Sequence, residues 1–127
     1  MKVKARNSDT KDPSMKDPNR KGWIGVDLDG TLARYESGQY PVIGEPLYPM
    51  ADYVRALIEE DQFEVKIFTA RACEPEQIPI VKAWLKANGF PDLEVTNAKD
   101  YYMEQMWDDR CLRVSTNSGD FECSPSY

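Results

Sequence analysis

Residues 23–32 read Trp-Ile-Gly-Val-Asp-Leu-Asp-Gly-Thr-Leu, a short apolar run that stops at two carboxylates, a glycine and a hydroxyl. Trp23, Ile24, Val26 and Leu28 have the β-branched and aromatic character of a strand buried on both faces, and Gly30 permits a sharp exit. The pattern predicts a core strand that delivers polar groups to its own carboxyl end. Two apart on an extended chain, Asp27 and Asp29 point to the same side for as long as the strand continues through them. Neighbouring carboxylates repel, so the pattern calls for a positive charge between them. A hard cation such as Mg²⁺, which takes oxygen ligands, meets that need.

The rest of the chain supplies further strands with polar ends. Residues 33–50 hold Gly38, Pro41, Gly44, Pro46 and Pro49, which forbids a long helix and predicts a loop over the end of the first strand. Tyr35, Tyr40, Ile43, Leu47 and Tyr48 are expected to pack that loop down. Over residues 50–61 the apolar positions Met50, Tyr53, Val54, Leu57 and Ile58 fall at helical spacing. Residues 63–68 alternate as a second strand and end at Thr69-Ala70-Arg71. A second helix is predicted over residues 77–88, closed by Gly89. A short third strand follows at 93–96, then Asn97-Ala98-Lys99. Residues 101–107 fit a helical turn or a strand equally, and end at Asp108-Asp109. Residues 111–114 alternate as an edge strand and 117–121 read as a turn. Strands alternating with helices predict an α/β fold with a mainly parallel sheet, whose ligands sit at the carboxyl ends of the strands.

Composition narrows the chemistry. The 127 residues suit one domain, expected over residues 22–127 and preceded by a flexible polar tail over residues 1–21. That tail carries seven Lys or Arg against three Asp, a net of +4, and leaves −10 for the rest of a chain whose total is −6. An acidic body argues against a broad nucleic-acid footprint. No histidine is present, which removes Ser-His-Asp and Cys-His catalysis and any histidine-held zinc. Acid and base work falls to carboxylates, lysine or tyrosine. Cys73, Cys111 and Cys123 form no Cys-x-x-Cys pair, so free thiols in a reducing cytoplasm are expected, and no run is long enough to span a bilayer.

Asp27-Leu28-Asp29-Gly30-Thr31-Leu32 resembles the first signature of the haloacid dehalogenase superfamily of aspartate-nucleophile phosphohydrolases, Asp-x-Asp-Gly-Thr-hydrophobic. Thr69, Lys99 and the Asp108-Asp109 pair are similar to its second, third and fourth motifs, in order. The resemblance covers roughly residues 23–121. It implies a Rossmannoid three-layer α/β fold with a mainly parallel central sheet and no separate cap domain, because neither long connection can hold one. Within the superfamily the chain resembles small phage- and prophage-type members and, more distantly, the phosphatase half of phage polynucleotide kinase. Thr69-Ala70-Arg71, Asp108-Asp109-Arg110 and Ser118-Gly119-Asp120-Phe121 carry that likeness, and no Gly-x-x-x-x-Gly-Lys-Ser/Thr loop accompanies them.

By this resemblance Asp27 is the nucleophile, and Asp29 is the general acid and base. Thr69 and Lys99 are catalytic. Gly30, Thr31, Thr69, Ala70, Arg71 and Lys99 bind the phosphoryl group, while Asp27, Asp29 (through its carbonyl), Asp108 and Asp109 hold Mg²⁺. Arg71 and Arg110 either meet phosphate or pair with a carboxylate. The implied activity is phosphomonoester hydrolysis through an aspartyl-phosphate, at an open site suited to a nucleotide, a nucleic-acid end or another large phosphorylated substrate. The competing expectation is a weakly active phospholigand-binding or regulatory module on the same fold. Monomer and homodimer are left open.

Overall fold

The apolar run becomes β1 (Trp23–Val26), buried along its whole length at the middle of a four-stranded sheet. The computed structural model describes residues 16–122. Residues 1–15, which hold most of the expected tail, and 123–127, with Cys123, lie outside them. The chain continues through α1 (Met50–Glu60), β2 (Glu64–Phe68), a 3₁₀ turn (Ala70–Cys73), α2 (Gln77–Ala87), β3 (Val95–Thr96) and β4 (Met103–Trp107). The sheet order is β3-β2-β1-β4 and every pairing is parallel. This is an α/β fold.

The helices form where the apolar spacing places them. In α1, Ala51 and Val54 are fully buried and Leu57 and Ile58 pack beside them. In α2 the buried positions are Gln77, Val81 and Leu85, four apart. Pro79 lies in its first turn, where a missing N–H costs no helical bond. Gly89 ends it with a φ of +81°, and Phe90 folds back to stack on Trp84 with ring centroids 6.2 Å apart.

Both helices serve one side of the sheet. Ile24, Val26, Val65, Ile67 and Val95 share a single apolar cluster with Ala51, Val54, Val81 and Leu85. Two right-handed crossovers progressing in the same direction from β1 give this arrangement. The opposite face carries Trp23, Lys66 and Phe68, and no helix among the described residues. Residues 97–102, which join β3 to β4, lie against it: the Trp23 indole N–H donates to Asp100 at 2.8 Å, and the Lys66 ammonium sits 4.6 Å above the Trp23 ring. The third layer implied by the resemblance is therefore this strap of chain. Six residues that must also cross the sheet have no length left for a helix.

The structure resolves residues 101–107 in favour of a strand. Residues 111–114 do not form the expected edge strand. They open a small hairpin instead, with one bridge between Val114 and Phe121 and a turn through Asn117 and Gly119, both at positive φ. The loop over residues 33–49 folds back on itself, bridging Ala33 to Pro46, and its Gly44 carbonyl accepts from the Trp84 indole. Ile43 packs on the core and the Tyr40 ring lies against the Arg71 guanidinium, its hydroxyl donating to Glu74, whereas Tyr35 and Tyr48 stay exposed. Neither long connection holds a separately folded insert among the described residues. No helix of the described chain is long and apolar enough to cross a membrane.

Ile67 is fully buried between the sheet and both helices. Ile67→Ala is expected to lower unfolding free energy by about 2–5 kcal/mol in a urea titration, through lost transfer energy and the cavity left behind.

A carboxylate cluster at the switch point of the sheet

From β1 the chain adds β2 and β3 on one side, then crosses back to lay β4 on the other. The order of the sheet therefore reverses between β1 and β4, which is where open parallel sheets leave a crevice beyond their carboxyl ends. Both strands end there in aspartates. Val26 is level with Trp107, and the Asp27 N–H extends the ladder by donating to the Trp107 carbonyl at 2.9 Å. Side chains 81 and 82 residues apart in sequence meet as a result. One carboxylate oxygen from each of Asp27, Asp108 and Asp109 lies within 4.8 Å of the others.

Thr31 ties the group together. Its hydroxyl lies 3.1 Å from Asp27 and 3.2 Å from Asp109, and it accepts the Asp109 N–H at 3.0 Å. One hydroxyl proton serves two anions. Asp108 caps its own turn by accepting the Arg110 N–H at 2.9 Å. Gly30 makes the approach possible: its φ is +91°, and a Cβ there would stand 2.7 Å from an Asp109 oxygen. The Asp27 carboxyl is pushed up to about 7, first by burial and then by the charge of Asp108, with Asp109 adding to the rise and the Thr31 hydrogen bond opposing it. Three oxygen donors with no ammonium or guanidinium among them fit a hard divalent cation such as Mg²⁺.

Asp29 does not join this cluster. The strand ends at Val26, so the backbone has turned before Asp29 and the two carboxylates diverge. Both Asp29 oxygens accept from Arg71, at 2.7 Å from Nε and 3.0 Å from Nη2. Its expected metal contact was through the carbonyl, and that assignment remains separate from the side chain. Arg71, with a side chain 3% exposed, also donates to the Pro41 carbonyl and to Gln77 Oε1, at 2.8 and 2.9 Å. Its guanidinium is thus consumed by protein groups. Of the two roles expected for Arg71, carboxylate pairing is the one the geometry contains.

The remaining expected residues divide. Thr69 is 4% exposed and caps the 3₁₀ turn, accepting the Arg71 N–H at 3.1 Å. Ala70 is exposed. The Gly30 and Thr31 N–H groups are committed to the Ala33 and Leu28 carbonyls, so neither is free to cradle phosphate in this conformation. Lys99 is exposed after β3, has no ion pair among the described residues, and lies close enough to Cys111 for its charge to act on that thiol. Desolvation, followed by the Asp108 charge, nevertheless pushes the Cys111 thiol up. Cys73 and Cys111 are free.

Gln77, Trp107 and Met50 were not anticipated. Gln77 orients Arg71 from the first turn of α2, and a polar residue on the buried side of that helix was its signal. Trp107 and Met50 line the crevice beside the carboxylates, which only the folded arrangement reveals.

No protein-family model matches this chain, and no curated protein does. A solved structure, the conserved protein coded by a locus from Bacteroides thetaiotaomicron, matches with a TM-score of 0.53 and 24% identity, over 72% of this chain and 78% of that one. The likeness is one of fold.

The raised Asp27 carboxyl gives a testable pH dependence. A carboxyl raised in the folded state stabilises the cation-free fold at low pH, and that contribution is lost as pH rises through about 7. Asp27→Asn is therefore expected to raise the cation-free urea midpoint above the parent at pH 8 and to leave it unchanged near pH 4. Added Mg²⁺ is expected to raise the parent's melting temperature more at pH 8 than at pH 5, and to lose most of that effect in Asp27→Asn.

Proposed function

We propose that this protein is a divalent-cation-dependent phosphomonoester hydrolase of the haloacid dehalogenase type, without a cap domain, with Asp27 as its nucleophile. The observation that carries the reading is the meeting of Asp27, Asp108 and Asp109 at the reversal of the sheet, with Asp29 two residues beyond the nucleophile. Asp27, Asp108 and Asp109 would hold Mg²⁺, which when bound neutralises the carboxylates and the phosphoryl charge.

In this reading an Asp27 oxygen attacks phosphorus and the ester P–O bond breaks. The leaving oxygen takes a proton from Asp29. Water, deprotonated by Asp29, then attacks the aspartyl-phosphate, breaking its P–O bond and releasing inorganic phosphate and free Asp27. Lys99 is the cation nearest in role to the transferring group, and Thr69 offers a hydroxyl at the end of the neighbouring strand. Arg71 positions Asp29 rather than touching phosphate, fixing the carboxylate through a two-point contact.

One observation favours a second reading, a phospholigand-binding module with little turnover. Asp29 accepts twice from a buried guanidinium, so leaving-group protonation requires that pair to loosen.

Phosphate release from 4-nitrophenyl phosphate separates the two. With Mg²⁺ the parent is expected to turn over and EDTA to stop it. Asp27→Asn is expected to lose at least about a thousandfold in kcat/KM, and Asp29→Asn about 10²–10⁴-fold. Undiminished activity in Asp27→Asn removes the assigned nucleophile, and tight phosphate binding without turnover supports the module.

A further inference from the structure

Resting on the phosphatase reading, we infer that the substrate is a free nucleoside monophosphate whose base lies on Trp107. Asp108 and Asp109, with Gly30 and Thr31, line an open cavity of about 680 Å³, a size suited to a whole small ligand rather than a phosphate alone. Met50, Met106 and Trp107 line it too, with Cys111 and Arg113. The thioethers and the indole suit a flat ring.

The indole is held ready for stacking. Trp107 rests partly on the core, and the Tyr53 ring meets it edge-on at 6.4 Å and 79°. Trp107 stands one and two residues before Asp108 and Asp109, roughly 3–7 Å along an extended chain. A nucleotide places a sugar between phosphate and base and spans such a gap.

Charge selects the free nucleotide over a nucleic-acid end. The chain carries a net charge of −6. A strand would bring a succession of phosphates past that surface, whereas a mononucleotide brings only the reacting phosphate, which the cation and Lys99 offset.

The test compares kcat and KM, with Mg²⁺, for adenosine 5′- and 3′-monophosphates, glucose 6-phosphate, β-glycerophosphate, phosphotyrosine amide and a 5′-phosphorylated oligonucleotide at two salt concentrations. The expected result is a kcat/KM at least about tenfold higher for one or both adenosine monophosphates than for β-glycerophosphate or glucose 6-phosphate. Trp107→Leu should abolish the preference by raising KM for the adenosine monophosphates more than for β-glycerophosphate. Tyr101→Ala, an aromatic elsewhere on the surface, should preserve it. Should Trp107→Leu fail to fold, Tyr53→Ala replaces it, with a partial loss of the preference expected.

Equal rates for ringed and ringless substrates, a preference for phosphotyrosine amide, or preferred oligonucleotide turnover that falls steeply with salt each overturn the inference while leaving the phosphatase reading intact. If nothing turns over, that reading fails alone, and adenosine monophosphate binding decides the cleft. Quenching of tryptophan emission that disappears in Trp107→Leu supports it, and quenching that persists, or none in the parent, refutes it.

Discussion

Three carboxylates face one another at the end of β1 and β4 without a positive side chain to separate them, and the local structure follows from containing that repulsion. The backbone ladder runs one residue past β1 to pin Asp27, Thr31 lends its hydroxyl and Asp109 donates its N–H in return. The nearest buried guanidinium, Arg71, is turned toward Asp29 and cannot relieve it. A neutralised Asp27 or a bound cation removes the conflict, and protons and cations therefore compete for the same place.

Charge is thus partitioned into two compartments. One is a neutral ion pair, Asp29 with Arg71, sealed by Gln77 and the loop carbonyls. The other is acidic and faces the crevice. Because Arg71 also grips the Pro41 carbonyl, the loop over residues 33–49 is fastened to the same element that orients Asp29. Movement of that loop and the freedom of Asp29 are mechanically linked. Tyr40 adds to that fastening by lying against the same guanidinium, while Tyr35 and Tyr48 mark the loop's outer surface.

Much of this was legible in the sequence because burial periodicity and strand-end punctuation are local. The run at Trp23–Val26, the helical spacing of Met50, Val54, Leu57 and Ile58, and that of Ile78, Val81 and Leu85 each define an element by themselves. The convergence of Asp27 with Asp108 and Asp109 was legible from their places at the ends of the first and last strands. What escaped were directions. Whether Asp27 and Asp29 share a side depends on the residue at which the strand stops, and the destination of Arg71 depends on a partner supplied by a different helix. Residues 101–107 were undecided because Tyr102, Met103, Met106 and Trp107 satisfy both periods, and only pairing to β1 selects the strand. A third helical layer was ruled out by the shortness of the connection over residues 97–102, a constraint visible only once β3 and β4 occupy opposite edges.

The pairing of β1 with β4 has a further consequence for how the molecule is built. It joins the first strand to the last across nearly the whole described chain. Such long-range closure comes late, after the local β1-α1-β2 and β2-α2-β3 units have begun to assemble. Until then Asp27 stands apart from Asp108 and Asp109, and the carboxylate cluster does not exist. Any ion captured there stabilises only the finished topology, so it acts as a latch on the last step of folding as well as a component of the site.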